Sequence, residues 1–198
     1  PARSPLWAFD LQPKGASFEL KSEENILQGI LPTGIRFGPD GALYIGDWIN
    51  GWATKSYGRI WKLDVTQETN DLKAVREETK RLIQLDYTKQ TEEALYDLLY
   101  NADMRIRQKA QFELVDRGSK AIDQFSKALA QTENQLARIH AIWGLGQLYK
   151  GNNKKLDFLF TYLKDKDTEI IAQVAKIIGD YRMKEASKEL LPLLTHSA

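Results

Sequence analysis

The spacing of apolar residues along this 198-residue chain changes near Asp64, and each spacing predicts a different kind of structure. Before Asp64, short apolar runs separated by turn residues predict antiparallel strands. Two of these runs, 34–38 and 42–46, flank Pro39-Asp40-Gly41, where proline presets one turn position and Asp-Gly tolerates positive φ, so a tight hairpin is expected. Further strands are predicted at 6–11, 17–21, 25–28 and 59–63, with 17–21 and 25–28 paired across Ser22-Glu23-Glu24.

The chain after Asp64 contains a helical repeat. Segments that begin at Asp103, Asn134 and Asp167 align with one another roughly every 32 residues, and these residue types cap the first turn of a helix. Shorter amphipathic helices are predicted before each cap and once more at the end, at 92–100, 120–130, 155–163 and 185–194. Paired helices at this interval predict an α-solenoid. In each pair, the helix that follows the cap is called the second helix. Its pattern of Arg, alanines and Leu-Gly-x-Leu, clearest at 137–148, looks like HEAT repeats.

Together these patterns predict an α+β fold in three parts. Residues 1–65 are expected to form an antiparallel sheet made of partial β-propeller blades, because three or four short strands around one tight turn are typical of a blade. Residues 66–90 are expected to be a linking helix, capped by Asn70 or Asp71. Residues 91–198 are expected to form the solenoid of HEAT-like helical hairpins. Since one blade cannot close a propeller, the sequence is interpreted as part of a longer protein.

Composition narrows the classes of partner and cofactor. With 28 basic and 27 acidic residues, the net charge of +1 gives no electrostatic footprint for nucleic acid. No apolar run approaches the ~20 residues of a membrane-spanning helix, so membrane insertion is not expected. The absence of cysteine excludes disulfides and thiolate metal sites, and neither His140 nor His196 has a second ligand at metal spacing. The partners expected are proteins or other domains of the parent chain.

Several short motifs occur in an order that is typical of one bacterial family. They are Phe-Gly-Pro-Asp-Gly-Ala-Leu-Tyr at 37–44, Asp-Trp at 47–48, Gly-Trp at 51–52, Gly-Arg-Ile-Trp at 58–61 and a helical segment at 105–118. In this order they resemble the bacterial "membrane-bound dehydrogenase" family, in which a propeller similar to glucose/sorbosone dehydrogenases precedes HEAT repeats. The resemblance implies an exported, periplasmic parent enzyme with a quinone cofactor, calcium or haem. It places no cofactor and no active site in this chain, which lacks the family's Cys-x-x-Cys-His haem site.

Asp47 is the candidate for chemistry in the strand region, because it follows a predicted strand and precedes Trp48. A carboxylate at a strand end can bind a metal or act as a general base. The alternative is structural: Asp47 accepts hydrogen bonds from loop amides or pairs with Arg59 on the next strand, which would fix the hairpin register. The structural role is favoured, because a single carboxylate without a partner is a weak catalytic signal.

Tryptophans supply one set of candidate binding residues. Trp48, Trp52 and Trp61 belong to an aromatic concentration in the strand region. Such rings either stack on the apolar faces of sugars or fill the space between neighbouring structural elements. Interior packing is favoured, and Trp52, in a glycine-flanked loop, is the ring expected to be exposed.

Arginines of the solenoid supply the other set. Arg107 and Arg138 occupy the same position in two repeats. One hypothesis is that they line a binding face together with neighbouring basic residues, Arg105, Lys109 and His140. The other, which is favoured, is that each arginine bridges to the cap residue of an adjacent repeat and so holds the stack together.

These observations favour a non-catalytic interaction or scaffold module of a larger exported, oxidoreductase-like protein. One alternative is a part of the active-site wall of a quinoprotein-type sugar or alcohol dehydrogenase. Another is a carbohydrate-binding surface that uses exposed tryptophans. Because exposed sheet edges are templates for pairing, the strand region is expected either to pack on the first helices or to form an edge-paired dimer.

Overall fold

The computed structural model describes residues 4–15, 17–49, 56–150 and 153–196. The chain divides into two compact units, Pro1–Gln84 and Leu85–Ala198. Within the described residues, five strands and one helix lie in the first unit, and the other helices lie in the second. The fold is therefore mixed, with small antiparallel sheets followed by helices, which confirms the α+β prediction at this level.

The first sheet is a two-stranded antiparallel ribbon made of β1 (Ser4–Lys14) and β2 (Ser17–Ile30). The prediction of two separate strands at 17–21 and 25–28 is wrong, because β2 continues through both and pairs with β1 along its length. The intervening segment 22–24 has neither glycine nor proline to form a turn, so its residues stay in register with β1.

The second sheet has three antiparallel strands in the order β3 (Pro32–Phe37), β4 (Leu43–Asp47) and β5 (Arg59–Leu63). The hairpin predicted between β3 and β4 is confirmed. Gly41 in its turn has a φ of 75°, a left-handed conformation that glycine adopts without strain. A two-stranded and a three-stranded sheet are not the four-stranded sheet of a propeller blade, so the propeller assignment stays a prediction.

A small core holds the first unit together. Leu6, Ile30 and Ile45 are buried in it, and Leu27 and Leu43 pack against them. These residues join the base of the ribbon to the central strand of the second sheet. Beyond this base, most side chains of the ribbon are exposed.

Helix α1 (Asn70–Ile83) follows the second sheet and is capped by Thr69, whose hydroxyl accepts a hydrogen bond from the Leu72 amide at 3.2 Å. The predicted caps, Asn70 and Asp71, are already inside the helix, since Thr69 is the last residue with an extended backbone. Asp71 instead lies in the first turn, where a negative charge interacts favourably with the helix dipole.

The second unit consists of helical hairpins. Its α-helices are α2 (Glu92–Leu98), α3 (Met104–Asp116), α4 (Ile122–Ala130), α5 (Gln135–Leu148), α6 (Thr168–Asp180) and α7 (Ser187–Leu190). Segments of 3₁₀ helix occupy Tyr87–Lys89, Gly118–Ala121, Asn153–Lys164, Lys184–Ala186 and Leu191–Thr195. The N-caps predicted at Asp103, Asn134 and Asp167 are confirmed, since each side chain accepts a hydrogen bond from an amide of its helix.

The hairpins pack as in a solenoid. The second helices α3, α5 and α6 contact one another in sequence, and each contacts the first element of its own hairpin. One continuous core of leucine, isoleucine and alanine side chains includes the fully buried Phe125 of α4. Helices α4 and α5 approach closely at Gly144, where an added Cβ would lie 2.3 Å from Phe125 Cζ. Among the described helices, none has the length and apolarity that a membrane span requires.

Candidate protein-interaction surface

Asp47 is buried at the end of β4 and uses both carboxylate oxygens as hydrogen-bond acceptors. Oδ1 accepts from the Leu31 amide at 3.0 Å and the Ile49 amide at 2.9 Å, and Oδ2 accepts from the Trp61 indole at 2.9 Å. These donors, the Trp61 indole first, lower the pKa of Asp47, although burial opposes them. A carboxylate bonded in this way is a weak base, and it ties together three segments of the first unit.

Arg59 lies in register with Asp47 across β4 and β5, and its guanidinium lies over the Trp61 ring at 4.8 Å from the centroid. Its positive charge contributes to the low pKa of Asp47. Trp48 follows Asp47 in the chain and is exposed. Trp52 lies outside the described residues. The structure thus brings Asp47, Arg59 and Trp61 into one cluster, in which the arginine and the indole interact through a cation–π contact.

A charged cleft of about 260 Å³ lies beside α1. It is lined by acidic and basic side chains in equal number, Asp40, Asp64, Glu68, Glu77, Lys62, Lys73, Lys80 and Arg76. Lys62 pairs with Asp40 at 2.9 Å, while Arg76 pairs with Asp64 and, at 2.7 Å, with Glu68. These ion pairs join α1 to the second sheet, and the balance of charges favours neither a bound anion nor a bound cation. In the part of the chain that the structure describes, no group of histidine and carboxylate side chains has the geometry of a metal site.

Arg138 holds two repeats together. Its Nη1 and Nη2 donate to the two carboxylate oxygens of Asp165 at 3.2 and 2.6 Å, and its Nε donates to the Leu129 carbonyl at 3.0 Å. These bonds lower the pKa of Asp165. Asp165 lies two residues before the cap Asp167, and the cap itself accepts hydrogen bonds from Gln135. The bridge therefore reaches the loop before the cap of the next repeat.

Arg107 occupies the same repeat position but bonds within its own repeat. Its Nη1 donates to the carbonyls of Asn101 and Ala102 at 2.7 and 2.8 Å, both in the loop before α3. Arg107 is only 5% exposed, and its buried Nε has no hydrogen-bond partner among the described residues. The position that corresponds to Asp165 is Thr132. In the sequence alignment of the repeats, a hydroxyl residue thus replaces the aspartate that pairs with Arg138.

A row of polar side chains links α3 to α5, with His140 and Gln111 buried and Gln147 exposed. The Nδ1–H group of His140 donates to Gln111 Oε1 at 2.7 Å, and Gln111 Nε2 donates to Gln147 Oε1 at 2.9 Å. Burial, with the nearby charge of Arg107, lowers the pKa of His140 to about 4, so the ring is neutral at pH 7. His140, Arg107 and Arg138 are all buried inside the second unit rather than presented on a binding face.

The exposed side of the second helices carries aromatic side chains that the sequence analysis did not single out. Phe112 of α3 and Trp143 of α5 are 46% and 36% exposed. They lie at the same distance along the chain from the caps Asp103 and Asn134, so they occupy equivalent positions on two helices that contact each other. This repeated offset is the signal that would have found them. We name as the second-helix surface the exposed residues Gln108, Phe112, Leu136, Trp143, Gln147 and Lys176.

Trp143 is held in place by one hydrogen bond to the next helix and by a ring contact within its own helix. Its Nε1 donates to Gln173 Oε1 at 2.8 Å, and Gln173 Nε2 donates to Glu169 Oε1 at 2.7 Å. The edge of the His140 ring contacts the indole, with 5.1 Å between centroids. A fixed, partly exposed indole with an apolar neighbour and polar residues around it has the composition of a protein contact site.

The comparisons with known proteins agree with this architecture. Residues 122–198 match a family model described as HEAT repeats. The match begins at the first residue of α4 and includes α5, α6 and α7. A comparison with curated proteins found no match. The HEAT prediction is thus confirmed for this segment, whereas for α2 and α3 it stays a prediction, as does the dehydrogenase family.

Proposed function

We propose that this chain is a non-catalytic interaction module whose second-helix surface binds a partner protein. The observation that carries the proposal is the exposed pair Phe112 and Trp143 on adjacent second helices. HEAT repeats and other solenoids bind partners along surfaces formed by successive repeats. Tryptophan is among the residues that contribute most binding energy when buried at the centre of a protein interface.

The indole is arranged for binding before a partner arrives. Its hydrogen bond to Gln173 and its contact with His140 restrict the rotamer of Trp143. Immobilising a mobile side chain at an interface costs about 0.5–1.5 kcal/mol. Because Trp143 is already held, we expect it to lose less conformational freedom than a free surface tryptophan when a partner covers it.

Polar side chains border the aromatic pair and set the kind of partner. Gln108 of α3, Gln147 of α5 and Lys176 of α6 are exposed. Interfaces between proteins have this arrangement, with aromatic residues at the centre and polar residues at the rim. The partner therefore presents apolar side chains for the aromatic pair and hydrogen-bonding groups for the rim.

The sequence resemblance supports a more specific form of the proposal. In it, the module belongs to an exported, periplasmic protein related to the membrane-bound dehydrogenases, and its partner is another protein or another domain of that parent. A quinone cofactor, calcium or haem would then be bound elsewhere in the parent. The same resemblance supports the active-site-wall alternative, while the exposed Trp48 supports the carbohydrate-binding alternative.

Site-specific photo-crosslinking tests the interaction surface. A photoreactive phenylalanine analogue replaces Phe112 or Trp143 in separate variants of the chain, and each is irradiated in extract of the source cell. Phe158 on the 3₁₀ segment Asn153–Lys164 is a matched control, since it is a similarly exposed aromatic residue of the second unit outside the second-helix surface. We expect the same adduct from positions 112 and 143 and none from 158. Equal crosslinking at position 158, or none at the two test positions, would refute the proposal.

Two assays separate the alternatives. Oxidation of sugars or alcohols is measured with an artificial electron acceptor, with and without added quinone cofactor and calcium, and no turnover is expected from this chain. Measurable turnover would replace the module hypothesis with the enzymatic one. Quenching of tryptophan fluorescence by a panel of oligosaccharides, lost in Trp48→Ala or Trp52→Ala, would establish the carbohydrate-binding alternative.

A further inference from the structure

The ribbon of β1 and β2 has one polar and one apolar face. Alternate residues of a strand point to opposite faces, and residues paired across an antiparallel ribbon share a face. The register places the following residues on one face, Trp7, Phe9, Leu11, Pro13, Phe18 and Leu20, with Glu23 and Asn25 beside Phe9 and Trp7. The opposite face carries Asp10, Gln12, Lys14, Glu19, Ser22 and Glu24, and Lys14 pairs with Glu19 at 3.7 Å.

The apolar face is exposed in the chain as described. Among its five large side chains, exposure ranges from 44% for Trp7 to 66% for Phe18. Antiparallel sheets with one apolar face bury that face and leave the polar face in water. In the ribbon, Leu6 and Ile30 are buried, and both lie at its base. The remaining apolar face therefore has the composition of an interface.

We infer that a second copy of this chain covers this face, so that two ribbons pack face to face about a twofold axis. The area supports this occupant. With about 200 Å² for each of the three aromatic side chains and somewhat less for each of the two leucines, the exposed fractions amount to on the order of 500 Å² per copy. Two copies then bury about 1,000 Å², which is the size that a specific interface needs to reach.

The order of residues along the ribbon also fits a twofold partner. In an antiparallel arrangement, Trp7 near the base of one ribbon lies against Phe18 near the tip of the other, and Leu11 and Leu20 meet near the axis. Glu23 and Asn25, which pair with Phe9 and Trp7, supply polar groups on the same face of β2. This face-to-face packing differs from the edge pairing that the sequence predicts, and it is independent of the second-helix surface.

Sedimentation of the full chain at micromolar concentrations tests the dimer. The wild-type chain is expected at twice the monomer mass of 22.7 kDa. Leu11→Glu and Phe18→Glu each place a charge on the apolar face and should raise the dimer dissociation constant at least tenfold. Gln12→Glu adds the same charge to the polar face of the same strand and should leave the constant unchanged. Circular dichroism checks that each variant keeps its folded spectrum.

Each outcome decides the inference. A wild-type chain that stays monomeric at tens of micromolar overturns it. A dimer that survives both Leu11→Glu and Phe18→Glu shows that another surface associates, which also overturns it. Loss of the dimer in Gln12→Glu as well would assign the association to strand edges or net charge rather than to the apolar face. Loss of the dimer in the two apolar-face variants alone supports it.

Discussion

Replacing Gly144 with alanine should destabilise the second unit, although alanine is the better helix former. Gly144 lies in α5 against Phe125 of α4, and an added Cβ would lie 2.3 Å from Cζ and 2.4 Å from Cε1 of that ring. Carbon atoms in contact are about 3.5–4.0 Å apart, so the ring has to move by about 1 Å. Phe125 is fully buried, and the close packing around it resists this movement.

Two opposing effects set the magnitude of the Gly144→Ala substitution. Overpacking a buried site costs about 1–3 kcal/mol, and the short contacts with Phe125 place this site at the upper end. Removing glycine from a helix interior gains about 1 kcal/mol, because alanine loses less backbone freedom on folding. The free energy of unfolding should therefore fall by about 2 kcal/mol.

Urea denaturation followed by far-UV circular dichroism measures this change, and Gly179→Ala is the matched control. Gly179 also lies in a second helix, α6, but among the described residues no atom beyond the adjoining backbone of its own helix would lie within 4 Å of an added Cβ. This control should gain about 1 kcal/mol, so the two variants should differ by about 3 kcal/mol. The double variant Gly144→Ala with Phe125→Leu should lose less stability than the two single variants lose in sum, because the smaller leucine leaves room for the added methyl group. Equal stability of the two alanine variants would refute the close approach of α4 and α5.

Three further predictions test single contacts. Asp47→Asn should lower the free energy of unfolding by about 1–3 kcal/mol, since an amide cannot replace every hydrogen bond of the carboxylate; a neutral effect on thermal unfolding contradicts this. Thr132→Asp should raise the free energy of unfolding by about 1 kcal/mol, because it gives the buried Arg107 a carboxylate. In the Arg107→Met background this gain should vanish. Stability should fall by about 2 kcal/mol from pH 7 to pH 5, because unfolded His140 binds a proton near pH 6.5 and folded His140 only near pH 4; His140→Gln should flatten this dependence in denaturation curves.

Local chemistry decided the parts of the fold that the sequence predicts. The turn at Gly41 follows from the need for positive φ, and the caps at Asp103 and Asn134 follow from side-chain oxygens placed before helical periods. The continuity of β2 did not follow from local polarity, because charged residues such as Glu23 are compatible with an exposed strand as well as with a turn. The cap at Thr69 was missed because the two residues after it are equally good capping types.

The candidate surface depends on packing that a single sequence does not display. A helical period shows which residues share a face, but it does not show which face meets the next repeat. One sequence hypothesis therefore placed Arg107 and His140 on a binding face, although both are buried in the second unit. The sequence analysis singled out neither Phe112 nor Trp143, and both are partly exposed.

The two junctions between second helices are held by different chemistry, which follows from residues in the loops. Between α5 and α6, the buried Arg138 finds a carboxylate in Asp165, so an ion pair spans the junction. Between α3 and α5, Gln111 forms neutral hydrogen bonds with His140 and Gln147, while Arg107 bonds within its own repeat. The His140 ring is neutral at pH 7, because burial lowers its pKa to about 4. Phe112 and Trp143 of the second-helix surface lie on the two helices of this junction, so the polar contacts that help the apolar core to position them are hydrogen bonds rather than an ion pair.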